Sequence, residues 1–281
     1  MEAFNDLMRD GYVVVRQSIA PELVQDINQR IDRFKVRNPG AVGRNLDEQQ
    51  RLYRVVNLHL VVDAITRLLT ENRAIEVCDR FLGEQTALYT SLYYERGSEQ
   101  PLHRDTPMFC TSPGERYLGV WTALDAVDDS NGPLLVVPGS HLLPAIDVQA
   151  LRHQVFGDGP VSPMSGEGWA AYQDAVARQC EEAGLQAQPV HMQPGDVIVW
   201  HPQLFHGGAP HSSVGTRRSV VMHVTPKSMP VGHMDVFYGA KPAQSKAPWR
   251  YYRRGDREIA RFGQVDFGHE YTRRTWFLRR A

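Results

Sequence analysis

His103 and Asp105 stand two residues apart in the stretch QPLHRDTPMF. On an extended backbone the side chains at i and i+2 point to the same face, so this imidazole and carboxylate converge on one point. That is half of a metal site, although an H-x-D pair taken alone is more often two solvated polar residues at a strand end. About a hundred residues on, GDVIVWHPQLFHGGAPHSSVGTRRSVVMHV carries His201, His206 and His211. A His-x-Asp with one distant His is the ligand set of the facial triad, which holds Fe(II) on one face and leaves three positions open. His206 is the candidate third ligand. It follows Leu204 and Phe205 and precedes Gly207-Gly208, whose missing side chains would leave room beside a metal. With His206 as the ligand, His201 and His211 are supporting or surface residues; the competing reading of His206 is a histidine that caps a turn after Trp200. Arg217 lies eleven residues beyond His206 at the start of a β-branched run. From there a guanidinium can reach back toward the metal and hold a dicarboxylic co-substrate in bidentate fashion. Alternation along a strand lets only one of Arg217 and Arg218 point inward.

The elements that must position these residues are legible in the apolar periodicity. DGYVVV predicts a strand over Tyr12 to Val15, followed by a helix opened by Ser18 or Pro21, with Leu23, Val24, Ile27 and Ile31 at helical spacing. VVDAITRLL and RAIEVCDRFLG predict two more helices, the second stopped by Gly83. From Thr86 the texture changes. TALYTSLYYE, RYLGVWTAL, PLLVVPGS, QPVHM, DVIVWHP and RRSVVMHVT are short runs rich in Val, Leu, Tyr and Trp, separated by Gly, Pro, Asn and Asp. They predict antiparallel β-structure, a sandwich or jelly roll. One domain over 1–281 is expected: a strand and helices over 1–85, a β-core over 86–226 interrupted by an insertion at 142–186, and a basic segment over 227–281. The insertion contains a helix around GWAAYQDAVARQCEEAG. Insertions of that length carry function more often than padding.

Composition narrows the classes. The chain has 281 residues, 42% hydrophobic and 22% charged, with a formal net charge of −1, which suits an ordinary globular protein and argues against a chain built to bind nucleic acid. Three cysteines without C-x-x-C spacing indicate neither a disulfide framework nor a thiolate zinc site. No apolar run approaches a membrane span and no signal pattern opens the chain, so a cytoplasmic location is expected. Residues 229–281 carry eleven Lys or Arg against five Asp or Glu, a local excess of six that the near-neutral total hides. If this tail and the insertion flank the mouth of the β-core, they supply the contacts to a small-molecule substrate, and the excess favours an anionic one. Trp249, Tyr251, Tyr252 and Trp276 are the tail's aromatic anchors. The alternatives are a solvated surface with a few aromatic anchors, the usual fate of a charge run, and a single-strand binding surface, which interleaved arginines and aromatics also resemble. The near-neutral total speaks against that reading.

Several ordered motifs together resemble one family. DGYVVV with its helix, HRD at His103 to Asp105, WTALD at Trp121 to Asp125, NGPLLVVPGSH at Asn131 to His141, GDVIVWHPQLFHG at Gly195 to Gly207 and GTRRSV at Gly215 to Val220 are similar to the phytanoyl-CoA dioxygenase family of Fe(II)- and 2-oxoglutarate-dependent oxygenases. The resemblance implies a mainly β fold with flanking helices, a double-stranded β-helix (jelly roll, cupin-like) core with N-terminal helices packed on one side. It implies iron ligands at His103, Asp105 and His206, a 2-oxoglutarate salt bridge from Arg217, and Trp121 beside that co-substrate, with O2 as the oxidant. The expected activity is hydroxylation of an unactivated C–H bond of a small metabolite or biosynthetic intermediate, with release of succinate and CO2. Desaturation, epoxidation and ring formation share the same first step. Related halogenases have a small residue where Asp105 stands, so halogenation is not expected. A non-catalytic metal-binding β-helix protein is the remaining alternative, disfavoured by ligands and arginine occurring together. Two departures stand out: Glu95-Arg96 where some members place a lysine, and Gly207-Gly208 where a Gly-Ser would add a hydroxyl to the co-substrate. Asn131 and His141 read as turn and scaffold residues with no direct chemistry.

Overall fold

A computed structural model describes residues 2–106, 109–111, 116–159, 165–229, 231–232, 250–267 and 272–281. Its first helix, α1 (Glu2–Asp10), buries only Leu7 and ends at Gly11, whose backbone N–H closes onto Leu7 O. The expected strand follows as β1 (Tyr12–Val15), and Pro21 at the first helical position opens α2 (Pro21–Arg37). Leu23, Val24, Ile27, Ile31 and Phe34 form the buried stripe of α2, so truncating a residue such as Ile31 to Ala would cost about 2–5 kcal/mol. A short α3 (Pro39–Gly43) and the two-residue β2 (Val55–Val56) come next. VVDAITRLL forms no continuous helix. It makes a 3-10 turn at Asp63–Thr66 and then α4 (Arg67–Thr70). Val61, Val62, Ala64, Ile65, Leu68 and Leu69 are all buried, so burial on several sides, with β-branched residues that resist helix, shapes the segment. The next helix, α5 (Ala74–Leu82), ends at Gly83 with φ of 67°, as expected.

The β-runs give β3 (Thr86–Tyr94), β4 (Cys110–Thr111), β5 (Leu118–Ala123), β6 (Leu134–Val136), β7 (Gln188–Val190), β8 (Val197–Trp200), β9 (His206–Gly208), β10 (Ser219–Pro226) and β11 (Val231–Gly232). A large, mainly antiparallel sheet runs β1-β8-β5-β10-β3-β2, and a small antiparallel sheet runs β7-β6-β9; β4 pairs with β11. Alternation divides the large sheet's side chains. Leu118, Val120, Val197, Val199, Val220, Met222 and Val224 pack into the core shared with the helices. Trp121, Ala123, Ile198, Trp200 and Val221 face the other way and meet Val136 and Val190 of the small sheet. The candidate site lies on this second side.

The C-terminal segment corrects one expectation. It continues as β12 (Tyr251–Arg254), β13 (Arg257–Ala260), β14 (Gln264–Asp266) and β15 (Thr272–Arg274). Ile259 of β13 pairs in parallel with Leu88, and Asp266 of β14 pairs with Val56, which joins the tail to the large sheet. Ile259, Ala260, Val265 and Phe267 are fully buried. The tail is therefore scaffold as well as rim. Its anchors are these apolar residues, while Tyr251 and Tyr252 are half-buried and Trp276 is 63% exposed. Trp249 lies outside the described residues. The insertion holds two helices rather than one: α6 (Val148–Phe156), capped by the Asp147 carboxylate, and α7 (Gly166–Glu182), capped by the Ser165 hydroxyl. Among the described residues no helix is long and apolar enough to cross a membrane.

Candidate active site

The two histidines of the expected triad face each other across a single antiparallel bridge. His103 N donates to His206 O at 2.7 Å and His206 N to His103 O at 2.9 Å, and the ring centroids are 4.6 Å apart. Asp105, two residues on, brings Oδ1 to 3.9 Å from the Nε2 atom of each histidine. One ligand atom from each residue lies within 4.8 Å of the other two. Each Nδ1 is placed against a backbone carbonyl two residues earlier, Pro101 O at 2.8 Å and Leu204 O at 3.0 Å. With the proton on Nδ1, both Nε2 lone pairs are left for a metal. Burial, then the neighbouring His206, lowers the His103 imidazole to about 4, so it stays neutral. Burial works against the Asp105 carboxylate, but His206 and His223 outweigh it and hold the carboxyl below its usual range. Trp200 Nε1 donates to Asp105 Oδ2 at 3.0 Å. Two imidazoles and a buried carboxylate converging on one point fit Fe(II) or a similar divalent ion.

Arg217 and Arg218 part company as alternation requires. Arg217 is 3% exposed; it donates to Gly132 O at 2.6 Å and Arg96 O at 3.2 Å, and its guanidinium lies 5.2 Å from the centre of the Trp121 ring. Among the described residues no carboxylate pairs with it and its Nε has no partner. Burial lowers it to about 10. A buried cation without an anion is costly, and a ligand carboxylate would relieve the cost. Arg218 turns outward to Asp32 at 2.7 Å. A cavity of about 560 Å³ connects His103, Asp105, His206, Trp121 and Arg217.

The other sequence candidates fall elsewhere. His201 accepts from Gln203 N and packs against Phe81 and His141, while His211 Nδ1 accepts from Gly97 N. Asn131 closes a turn through Ala126 O and Asp128 N, and His141 sits against Met8 O. Gly207 does not leave room beside a metal. A Cβ there would stand 2.8 Å from Gln100 O, because the chain entering the H-x-D passes against it. At Gly208 a Cβ would meet Ser98 Oγ at 2.7 Å, so a hydroxyl from another segment occupies the place where Gly-Ser would bring one. Glu95 is fully buried away from the cavity and holds Lys35 Nζ at 2.8 Å, Leu52 N and the Tyr93 hydroxyl.

Several contributors escaped the sequence reading. His223 on β10 brings Nε2 to 3.6 Å from Asp105 Oδ2 and stacks on Phe109 at 4.0 Å. The signal was present: residues 217, 219, 221 and 223 share a parity. Trp169 of α7 lines the cavity, and so do Phe262 and Asp266 of the tail.

Residues 7–219 match the sequence profile described as Phytanoyl-CoA dioxygenase (PhyH). The chain belongs to the phytanoyl-CoA dioxygenase family. Its family relatives include the peroxisomal phytanoyl-CoA dioxygenase of Rattus norvegicus, 22% identical over 76% of this chain and 64% of that protein. A probable alpha-ketoglutarate-dependent hypophosphite dioxygenase of Stutzerimonas stutzeri is 25% identical over 79% of this chain and 77% of that one. The chain spans less than two thirds of the first of these and about a third of the Bos taurus phytanoyl-CoA dioxygenase. Among solved structures, the non-heme alpha ketoglutarate dependent epimerase SnoN from nogalamycin biosynthesis superposes with a TM-score of 0.61, 19% identity, and coverage of 92% of this chain and 97% of that chain. EctD from S. alaskensis with 2-oxoglutarate and 5-hydroxyectoine gives 0.60 at 17% identity, covering 81% and 76%. These likenesses establish a shared fold.

Proposed function

We propose that this member of the phytanoyl-CoA dioxygenase family is an Fe(II)- and 2-oxoglutarate-dependent dioxygenase that hydroxylates a C–H bond of a small molecule, on a double-stranded β-helix core. The observation that carries the reading is the joint presence, in one cavity, of three converging ligand atoms and a buried arginine that has no carboxylate partner among the described residues. His103, Asp105 and His206 would hold the iron. Arg217, over Trp121, would take the distal carboxylate of 2-oxoglutarate. Bound iron, 2-oxoglutarate and O2 would supply an oxidant able to take a hydrogen atom from the substrate, with succinate and CO2 released. The chain's own work is orientation and exclusion of water. Trp200 and Trp169 line the cavity beside the metal residues, and Tyr89, in edge contact with Phe109 and Phe262, adds an aromatic wall.

That wall also bears on the substrate. Phe262 and Asp266 are the tail's described contribution to the cavity, and among the described residues the arginines that line the cavity are Arg54 and Arg217. The tail's excess positive charge therefore lies mostly outside the cavity. The aromatic edges favour a ring-bearing or apolar substrate body, and an anionic group on it would look to Arg54. Anaerobic titration with Fe(II) and 2-oxoglutarate tests the reading: a weak visible charge-transfer band requiring both additions is expected. Its absence would leave a metal-binding protein without this chemistry. Substrate-dependent succinate formation across candidate metabolites would then identify the substrate, and product masses would separate hydroxylation from desaturation or ring formation.

A further inference from the structure

The insertion between β6 and β7 reaches the metal-binding residues through one side chain. Gln173 of α7 is 8% exposed and makes two hydrogen bonds to a single residue: its Oε1 accepts from Arg104 N at 2.8 Å, and its Nε2 donates to Arg104 O at 3.2 Å. Arg104 is the residue between His103 and Asp105. Its own side chain, 2% exposed, runs away from the cavity and donates to Ser140 O at 2.7 Å.

The sheet explains why such a partner is needed. Main-chain pairing in this stretch ends at the bridge between His103 and His206, so the buried N–H and C=O of the next residue have no neighbouring strand. Buried backbone groups must still be paired. A carboxamide offers the same donor and acceptor as a peptide, and Gln173 presents both together. One helical turn earlier, on the same face of α7, Trp169 lines the cavity with its ring 6.3 Å from that of His103.

We propose that Gln173 is a positioning residue for the metal site. It replaces a missing strand, fixes the main chain that joins His103 to Asp105, and so sets the directions from which these two side chains meet the ion. The inserted segment, more than a rim, is thereby part of the geometry of the site, and the helix that walls the cavity through Trp169 also grips the ligand loop. This inference rests on the metal reading given above.

The test uses Co(II) as a spectroscopic probe, titrated anaerobically into the full-length chain, with thermal melts of the metal-free proteins alongside. Gln173→Leu keeps bulk and removes both bonds, whereas Gln173→Glu keeps the acceptor for Arg104 N and removes the donor to Arg104 O. Val176→Ala loosens the buried face of α7 without touching either bond. Loss of a supporting contact of this kind typically weakens metal affinity 10- to 100-fold. The expected result is a loss of about that size with a shifted visible spectrum for Gln173→Leu, a smaller change for Gln173→Glu, and none for Val176→Ala. Co(II) affinity and spectrum unchanged in Gln173→Leu would overturn the inference while leaving the metal reading intact. Equal losses in Gln173→Leu and Val176→Ala would overturn it too, since general loosening of α7 would then suffice. If Gln173→Leu fails to fold, Gln173→Glu against Val176→Ala decides by the same criterion. A wild-type chain that binds no Co(II) removes the metal reading and this inference with it.

Discussion

The indole N–H of Trp200 donates to Oδ2 of Asp105 at 3.0 Å in the wall of the cavity, and Oδ1 is the oxygen that faces the two histidines. Trp200 is placed by β8, opposite Gly119 of β5, whose missing side chain leaves the space that the indole fills. With Oδ2 engaged, Oδ1 is the atom that lies equidistant from the two Nε2 atoms.

Trp200→Phe should therefore keep the ring and lose the orientation. We predict Fe(II) affinity weaker by about 10- to 100-fold, with the fold retained. Calorimetric titration of wild type and variant is the check, and equal affinities would make the bond incidental.

His103→Ala, Asp105→Ala and His206→Ala should each abolish iron-dependent turnover without unfolding the chain, because the residues sit on a packed β-scaffold. His201→Ala removes a ring packed on Phe81 and should lower the melting temperature while metal binding persists. Turnover surviving in any of the first three would remove that residue from the ligand set.

Arg217→Ala should raise the 2-oxoglutarate requirement steeply. Losing one partner of a desolvated charge-assisted pair costs about 2–5 kcal/mol, roughly 30-fold to several thousandfold in affinity. Arg218→Ala loses only its outward ion pair with Asp32, which is expected to be worth less than about 1 kcal/mol. Steady-state 2-oxoglutarate dependence of both variants decides; equal effects would refute the division of roles.

Truncation after Pro248 should destabilise the whole chain, since it removes the partner of β2 and four fully buried residues. Phe267→Ala alone is expected to cost about 3–5 kcal/mol in urea unfolding. A truncated chain with a wild-type melting temperature would show the tail to be dispensable.

Acid should unfold the metal-free protein early. Burial lowers His59 to about 3, His201 to about 3 and His103 to about 4. In the unfolded chain these groups take up protons as pH falls through about 6.5, while the folded chain excludes them until its depressed values are reached. Their contribution is thus full above about pH 6.5 and is lost as pH falls toward those values, each by up to about 1.4 kcal/mol per pH unit. His59, hydrogen-bonded to Ser91 and not among the residues that line the cavity, isolates the effect. His59→Gln should flatten the fall in unfolding free energy between about pH 6 and 4.5, and an unaltered slope would exclude His59 as a contributor.

What the sequence revealed and what it withheld follow from range. Alternation in RRSVVMHVT and the stripe in α2 are local patterns, so β10, α2 and the inward turn of Arg217 were readable. The H-x-D and His206 were readable because a short list of residue types can serve a metal. The tail's strands were hidden because their buried residues, Ile259-Ala260, Val265 and Phe267, come in ones and twos between exposed or half-buried, mostly polar residues. Gln173 carries no local signal at all, since its role exists only through a residue 69 positions away. Gly207-Gly208 misled because an absent side chain in the sequence does not say what fills the space.

The pairing of Val56 with Asp266 joins two points 210 residues apart in the sequence. During synthesis β2 emerges about 210 residues before its neighbour β14. This edge of the large sheet cannot pair until those residues have been made. It stays open for that interval, which at roughly 5–20 residues per second is on the order of ten seconds or more. In that interval an unpaired apolar edge is available to other nascent chains, so the yield of this protein should depend on holding chaperones more than its finished architecture would suggest.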